Sequence, residues 1–228
     1  MKFRPISFLG AVGLLAALLP SSLMASSSPA IGFTGLNSNP DNTLNTGPYS
    51  LGWEFSTNTA IDVTALGFFD ATLANASYTG LGNCTGCGEV GIYNSTGTLL
   101  VSTSVTTSGT EVGDFYYATV PTTLLAAGQD YYIVEETGNA YYTYNPTGFF
   151  VNPNISYIDD AYHSTYSSTL AFPNISDGPG TTGIFGPNFE ETPATSAVPE
   201  PSSLPLLGFG LVALFAASKR LLIRKASH

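Results

Sequence analysis

Apolar and polar residues alternate along the first half of this chain in short runs separated by turn residues. "YSLGWEF" places Tyr49, Leu51, Trp53 and Phe55 on one face, a period of two that a strand produces and a helix does not. "AIDVTALGFF" continues with Ile61 and Val63 and then changes phase at Ala65 and Leu66, which predicts a β-bulge. "EVGIY", "LLVSTSV", "DFYYATV" and "DYYIVEE" read as further strands, rich in Val, Ile, Tyr and Thr. Turn residues punctuate them at 94–97, 108–109, 128 and 138–139. No stretch carries an apolar stripe at helical spacing; "TTLLAAGQ" at 122–129 is at most one helical turn. Short strands recurring roughly every ten residues predict an all-β fold, an antiparallel β-sandwich or jelly roll.

The second half is more broken. From 141 to 189 aromatic runs alternate with Asn-Pro, Asp-Gly-Pro and Gly-Pro breaks, so short strands joined by long decorated loops are expected. "TPATSAVPEPSS" then lacks large apolar side chains and reads as an extended linker. The resulting organisation is a leader over 1–25, a sandwich domain over 30–192, a linker over 193–203 and a hydrophobic helix with a basic end over 204–228. The leader has Lys2 and Arg4, an apolar run over 8–19, Pro20 and a Ser/Ala-rich stretch ending near Ala25. That order is a secretory signal peptide, with Ala30 as a second cleavage candidate. Its run is short for a bilayer core of about 30 Å, which favours removal over retention.

Charge changes the picture more than composition does. The six basic residues are Lys2, Arg4, Lys219, Arg220, Arg224 and Lys225, and all sixteen Asp and Glu residues fall between the two groups. The sandwich therefore has no Lys or Arg with which to form an ion pair, and its surface repels nucleic acid and anionic headgroups. Its stability has to come from apolar burial and hydrogen bonds. Hydrophobic residues make up 43% of the chain and aromatics 12%, more than a disordered acidic tail would hold.

The tail has its own grammar. Fifteen uncharged residues run from 204 to 218, followed by Lys219 and Arg220, then "LLI", then Arg224 and Lys225. Fifteen residues make about 22 Å of helix; with the first basic pair snorkelling, the span reaches Ile223 and the basic end faces the cytoplasm. "VPEPSSLPLLGFGLVALFAASKR", with Val198 followed by Pro199, Glu200 and Pro201, resembles the PEP-CTERM sorting signal of Gram-negative bacteria. The resemblance implies recognition by an exosortase-type transpeptidase, a transient stay in the inner membrane and delivery to the outer envelope or an extracellular polysaccharide matrix. The stretches "SLGWEFSTNTAIDVTALGFFD", "GEVGIYNSTGTLLVS", "LLAAGQDYYIVEE" and "IFGPNF" are similar to the DUF4082 type of β-sandwich, which recurs in such exported proteins. That likeness supports a fold and implies no activity.

Candidate chemistry in the sandwich is sparse. Cys84 and Cys87 form a C-x-x-C among strands of an exported protein, which reads as a small structural disulfide in preference to a redox or zinc centre. His163 lies near Asp159, Asp160 and Ser164, but no G-x-S-x-G elbow accompanies it and triads are not usually local in sequence. Glu54, Glu89, Glu135 and Glu136 sit in strands, where two could face each other as a glycosidase requires. Trp53, Tyr116, Tyr132 and Tyr142 are candidates for stacking on sugar rings, since one residue of each aromatic pair in a strand should face solvent. Calcium is the one candidate cofactor, with Asp41, Asp159, Asp160 and Asp177 as ligands in loops, although no EF-hand pattern is present. Five N-x-S/T sequons, beginning at Asn75, Asn83, Asn94, Asn154 and Asn174, read as Asn/Ser/Thr-rich surface beside a bacterial tail. The expectation is a non-enzymatic protein of the envelope or the exopolysaccharide matrix. A carbohydrate-binding module and a secreted hydrolase are the alternatives.

Overall fold

A computed structural model describes residues 26–36, 49–74, 88–136, 142–165, 167–176, 178 and 183–194. The strands, in chain order, are β1 (Ser28–Pro29), β2 (Ile31–Gly32), β3 (Ser50–Thr57), β4 (Ile61–Phe69), β5 (Glu89–Asn94) and β6 (Leu99–Ser104). They continue with β7 (Thr110–Val112), β8 (Phe115–Leu125), β9 (Asp130–Glu136), β10 (Phe150–Val151), β11 (Ile155–Tyr162) and β12 (Pro187–Pro193). One sheet has the order β1-β12-β4-β8-β7 and the other β11-β3-β9-β5-β6, with β10 and β2 as a small separate ladder. Every pairing is antiparallel, and the inner faces of the two sheets enclose one main core. The sandwich expected from the alternation is the fold observed.

The pattern explains the core residue by residue. Trp53 and Phe55 on β3 point inward with Tyr131 and Ile133 on β9 and Val90 and Ile92 on β5. The facing sheet contributes Ile61, Val63, Leu66, Phe68 and Phe189. The phase change is a bulge: the register of β4 shifts between Val63 and Ala65 against β8, and that of β12 shifts between Glu190 and Glu191 against β4. The extra residue lets both Val63 and Leu66 reach the core. Trp53 is fully buried, stacks on Phe189 at 6.0 Å and donates its indole N–H to the carbonyl of Pro187 at 2.9 Å. That bond ties the two sheets at the point where β12 begins.

A smaller cluster of Ala65, Phe69, Ala71, Phe115 and Tyr117 covers the outer face of β4 and β8. Gly67 lies directly opposite Tyr117, and a Cβ at that position would come within 2.5 Å of the tyrosine ring. The ring occupies the space a side chain would need. The β5–β6 turn follows the expected Asn-Gly chemistry: Asn94 Oδ1 accepts from the backbone N–H of Thr96 and Thr98, and Gly97 adopts a φ of 82°. A single helical turn, α1 (Ala71–Ala74), is capped by Asp70, whose Oδ1 accepts from the Thr72 N–H at 2.7 Å.

Two expectations are corrected. Residues 122–125 belong to β8 rather than to a helical turn, because Thr123, Leu124 and Leu125 pair with Val63, Asp62 and Ile61. Only the following residues turn, with Gly128 at a φ of 70°. The segment carrying Asp159 and Asp160 is strand β11 rather than a loop. A register shift between Tyr157 and Asp159 breaks its alternation, which hides the period of two in the sequence.

Candidate functional site

One end of the sandwich opens into a groove of about 340 Å³. Tyr49 and Leu51 come from the start of β3, Tyr162 and His163 from the end of β11, and Tyr142 and Ile184 from the two segments that cross this end. Cross-strand pairing fixes the first wall, since Tyr162 lies opposite Leu51 and the His163 N–H donates to the Ser50 carbonyl at 2.9 Å. The second wall is stapled by a pair of backbone hydrogen bonds. Thr143 and Phe185 exchange N–H···O bonds of 3.3 and 3.0 Å, and Phe185 stacks on Phe149 at 4.5 Å inside the core. Between them, Ile184 is held at a φ of 59°. A β-branched residue is disfavoured there by about 1–3 kcal/mol, so the surrounding packing imposes the conformation that places its side chain on the groove. Tyr49, Tyr142, Tyr162 and His163 are all half-buried and Ser164 is exposed. His163 Nδ1 lies 3.0 Å from Thr165 Oγ1, and the Ser164 N–H donates to Asn174 Oδ1 at 2.9 Å.

The acidic side chains are distributed by strand alternation. Glu135 lies opposite Leu51 on the inner face, fully buried, with neither carboxyl oxygen hydrogen-bonded among the described residues. Its Oε1 packs so tightly on Gly186 that a Cβ there would stand 1.7 Å away. Burial, with Glu136 alongside, pushes its pKa well above the ordinary carboxylate range. Glu54 faces the opposite way, across from Tyr132 on β9 and Asp159 on β11. Burial raises its pKa, helped by the charges of Asp130 and Asp159 and opposed by the hydrogen bond with Tyr132. Burial and that same bond push the Tyr132 hydroxyl up to about 12. Asp159 is tied down by Ser176 Oγ, by the Gly178 N–H at 3.0 Å and by the Asp160 N–H at 2.9 Å. Glu89 accepts from Ser102 Oγ at 2.6 Å.

Downstream of β12, the chain presents Pro199, Glu200 and Pro201, then an apolar stretch, then Lys219 and Arg220. Residues 197–220 match the PEP-CTERM protein-sorting motif. The PEP-CTERM match indicates a protein that is exported, processed at the membrane and recognised by an exosortase. No curated protein and no solved structure matches the chain.

The other residues singled out from sequence divide sharply. The PEP-CTERM residues Val198, Pro199, Glu200 and Pro201, and the basic residues Lys219, Arg220, Arg224 and Lys225, lie outside the described residues. So do the leader over 1–25, the segment 204–228, Cys84, Cys87, Asp41 and Asp177. Trp53 is a correction as a sugar-stacking residue, because its alternation faces the core and it is fully buried. Tyr116, half-buried, packs against the main core from the inner face of β8, and its neighbour Tyr117 is buried on the outer side beside Phe115. Tyr132 does face outward, but Phe172 lies edge-on to its ring at 5.1 Å. Of the four stacking candidates, Tyr142 alone lines the groove.

Asp159 and Asp160 point to opposite faces of β11, toward the Glu54 side and the Trp53 side respectively, so these neighbours in sequence do not converge on one ion. Among the described residues no group of three His, Cys, Asp or Glu side chains is placed to hold a metal. The groove residues that sequence reasoning missed are Tyr49, Tyr162 and Ile184. The alternation around "YSLGWEF" put Tyr49 on the face of Leu51, yet nothing local showed that this face ends in an opening.

Proposed function

We propose that the sandwich is a non-enzymatic domain presented on the outer envelope or in the extracellular matrix once an exosortase has acted on the tail. The observation that carries this reading is the PEP-CTERM motif at 197–220, reached shortly after β12 ends at Pro193. The acids support it too. Asp159 accepts three hydrogen bonds, Glu54 and Glu89 are each engaged by a hydroxyl, and Glu135 is sealed inside the core. General acid–base catalysis needs a carboxyl within reach of a bound substrate; the first three are occupied in holding strands and loops together, and Glu135 is buried away from solvent.

The test is mass spectrometry of the C-terminus of the protein recovered from outside the cytoplasm. A C-terminus upstream of Leu204 is expected. An intact segment from Leu204 to His228 on the mature protein refutes processing.

A further inference from the structure

We propose that the groove at the end of the sandwich is a binding site for a neutral saccharide. This deepens the preceding proposal by naming a ligand class, and it rests on the reading that the sandwich is a non-enzymatic domain presented outside the cell. Three tyrosines, Tyr49, Tyr142 and Tyr162, line one opening together with His163 and Ser164. Tyrosine combines a flat apolar ring with a hydroxyl at its tip. A pyranose has the complementary form: C–H groups on its faces and hydroxyls around its rim. At about 340 Å³ the groove lies at the low end of the range of roughly 300–1,000 Å³ that small-molecule sites occupy, which suits a mono- or disaccharide unit of a longer chain entering from solvent.

Charge selects among ligands that could use the same rings. No Lys or Arg occurs between residues 5 and 218, so phosphate, sulfate or uronate groups would find no countercharge from the sandwich. None of the described residues lining the groove is Asp or Glu, so no described carboxylate is positioned to draw a cation into it. A polar but uncharged partner remains. The walls are also preorganised. Tyr162 and Leu51 are held by cross-strand pairing, and the Tyr142 segment is stapled through Thr143 to Phe185. Retaining Ile184 at a φ of 59° shows that the fold over-determines this corner. Binding to such a site orders few new groups.

Affinity electrophoresis of the exported protein tests the proposal, in gels containing dextran, laminarin, guar galactomannan or polygalacturonate. Retardation by at least one of the three neutral polymers is expected, and none by the anionic one. Tyr142→Ala should weaken that retardation about tenfold, the loss of about 1.4 kcal/mol of contact. Tyr142→Phe, which keeps the ring, should retain most of it. Phe150→Ala, at an exposed position outside the groove, should change nothing. Should Tyr142→Ala lose its fold by Trp53 emission, Ser164→Phe blocks the groove from an exposed position and must abolish retardation. Absence of retardation by all three neutral polymers, equal retardation of the blocked variant, or preference for polygalacturonate overturns the proposal. A processed C-terminus with no retardation removes the saccharide site and leaves the sorting reading intact.

Discussion

Replacing Glu135 by Gln should make the protein progressively more stable than wild type as pH rises from acid toward neutral. Glu135 is fully buried, neither of its oxygens is hydrogen-bonded among the described residues, and the sandwich has no Lys or Arg to pair with it. An ionised carboxylate there would meet the full cost of desolvation, so the folded protein keeps the proton and its pKa stands well above the ordinary range. The unfolded chain releases that proton near pH 4.3. Below that value both states hold it and Glu135 adds no pH dependence. Above it the folded state binds one more proton than the unfolded state, and stability falls by about 1.4 kcal/mol per pH unit. The fall continues until the pH passes the folded pKa.

Gln has nearly the same shape and no proton to lose. The difference between the two proteins should therefore be flat at the acid end and then grow with that slope. Urea unfolding at half-unit steps from pH 4 to 8 measures it, followed by the emission of Trp53, the one tryptophan in the chain and a fully buried one. The remaining acids titrate in both proteins and cancel in the difference. Parallel stability curves over the whole range would refute the reasoning, since Glu135 would then have the same proton affinity in both states.

Other perturbations test the packing and the tail. Trp53→Phe removes the donor to the Pro187 carbonyl and leaves that oxygen buried without it, so urea unfolding followed by circular dichroism should show a loss of about 1–3 kcal/mol. Gly67→Ala would drive a methyl into the Tyr117 ring, and a cost of about 1–3 kcal/mol is expected by the same assay; Gly67→Ala combined with Tyr117→Leu should recover part of it. Pro199→Ala with Glu200→Ala, within the PEP-CTERM motif, should leave the sandwich's melting temperature unchanged while the mature protein keeps its Leu204–His228 segment by mass spectrometry.

What could be read locally was read correctly where one physical cause dominated. The alternation at Leu51, Trp53 and Phe55 marked a strand with these side chains on one face, and the phase change after Val63 marked a bulge, because side chains on a strand must alternate. Alternation failed where a second cause intervened. The shift after Tyr157 disguised β11, and the aromatic doublets could not reveal that Phe172 lies against Tyr132 or that Tyr117 is buried in the outer cluster beside Phe115. The rule that one tyrosine of a pair faces solvent held for direction and failed for exposure, since Phe172 from a connecting segment packs on Tyr132 and a second cluster buries Tyr117 on the outer face.

By itself, the sequence determined the all-β class, the bulge, the absence of ion pairs with Lys or Arg in the sandwich, and the sorting motif at 197–220. Each is a property of near neighbours or of composition. The tertiary structure alone decided that Trp53 is sealed in the core and that Asp159 and Asp160 part to opposite faces. It also left Glu135 buried without a hydrogen bond among the described residues. Tyr49, Tyr142, Tyr162 and Ile184 meet at one opening although up to 135 positions separate them. Such a site is made by strand order and register, which depend on contacts across the whole chain and leave no local signature.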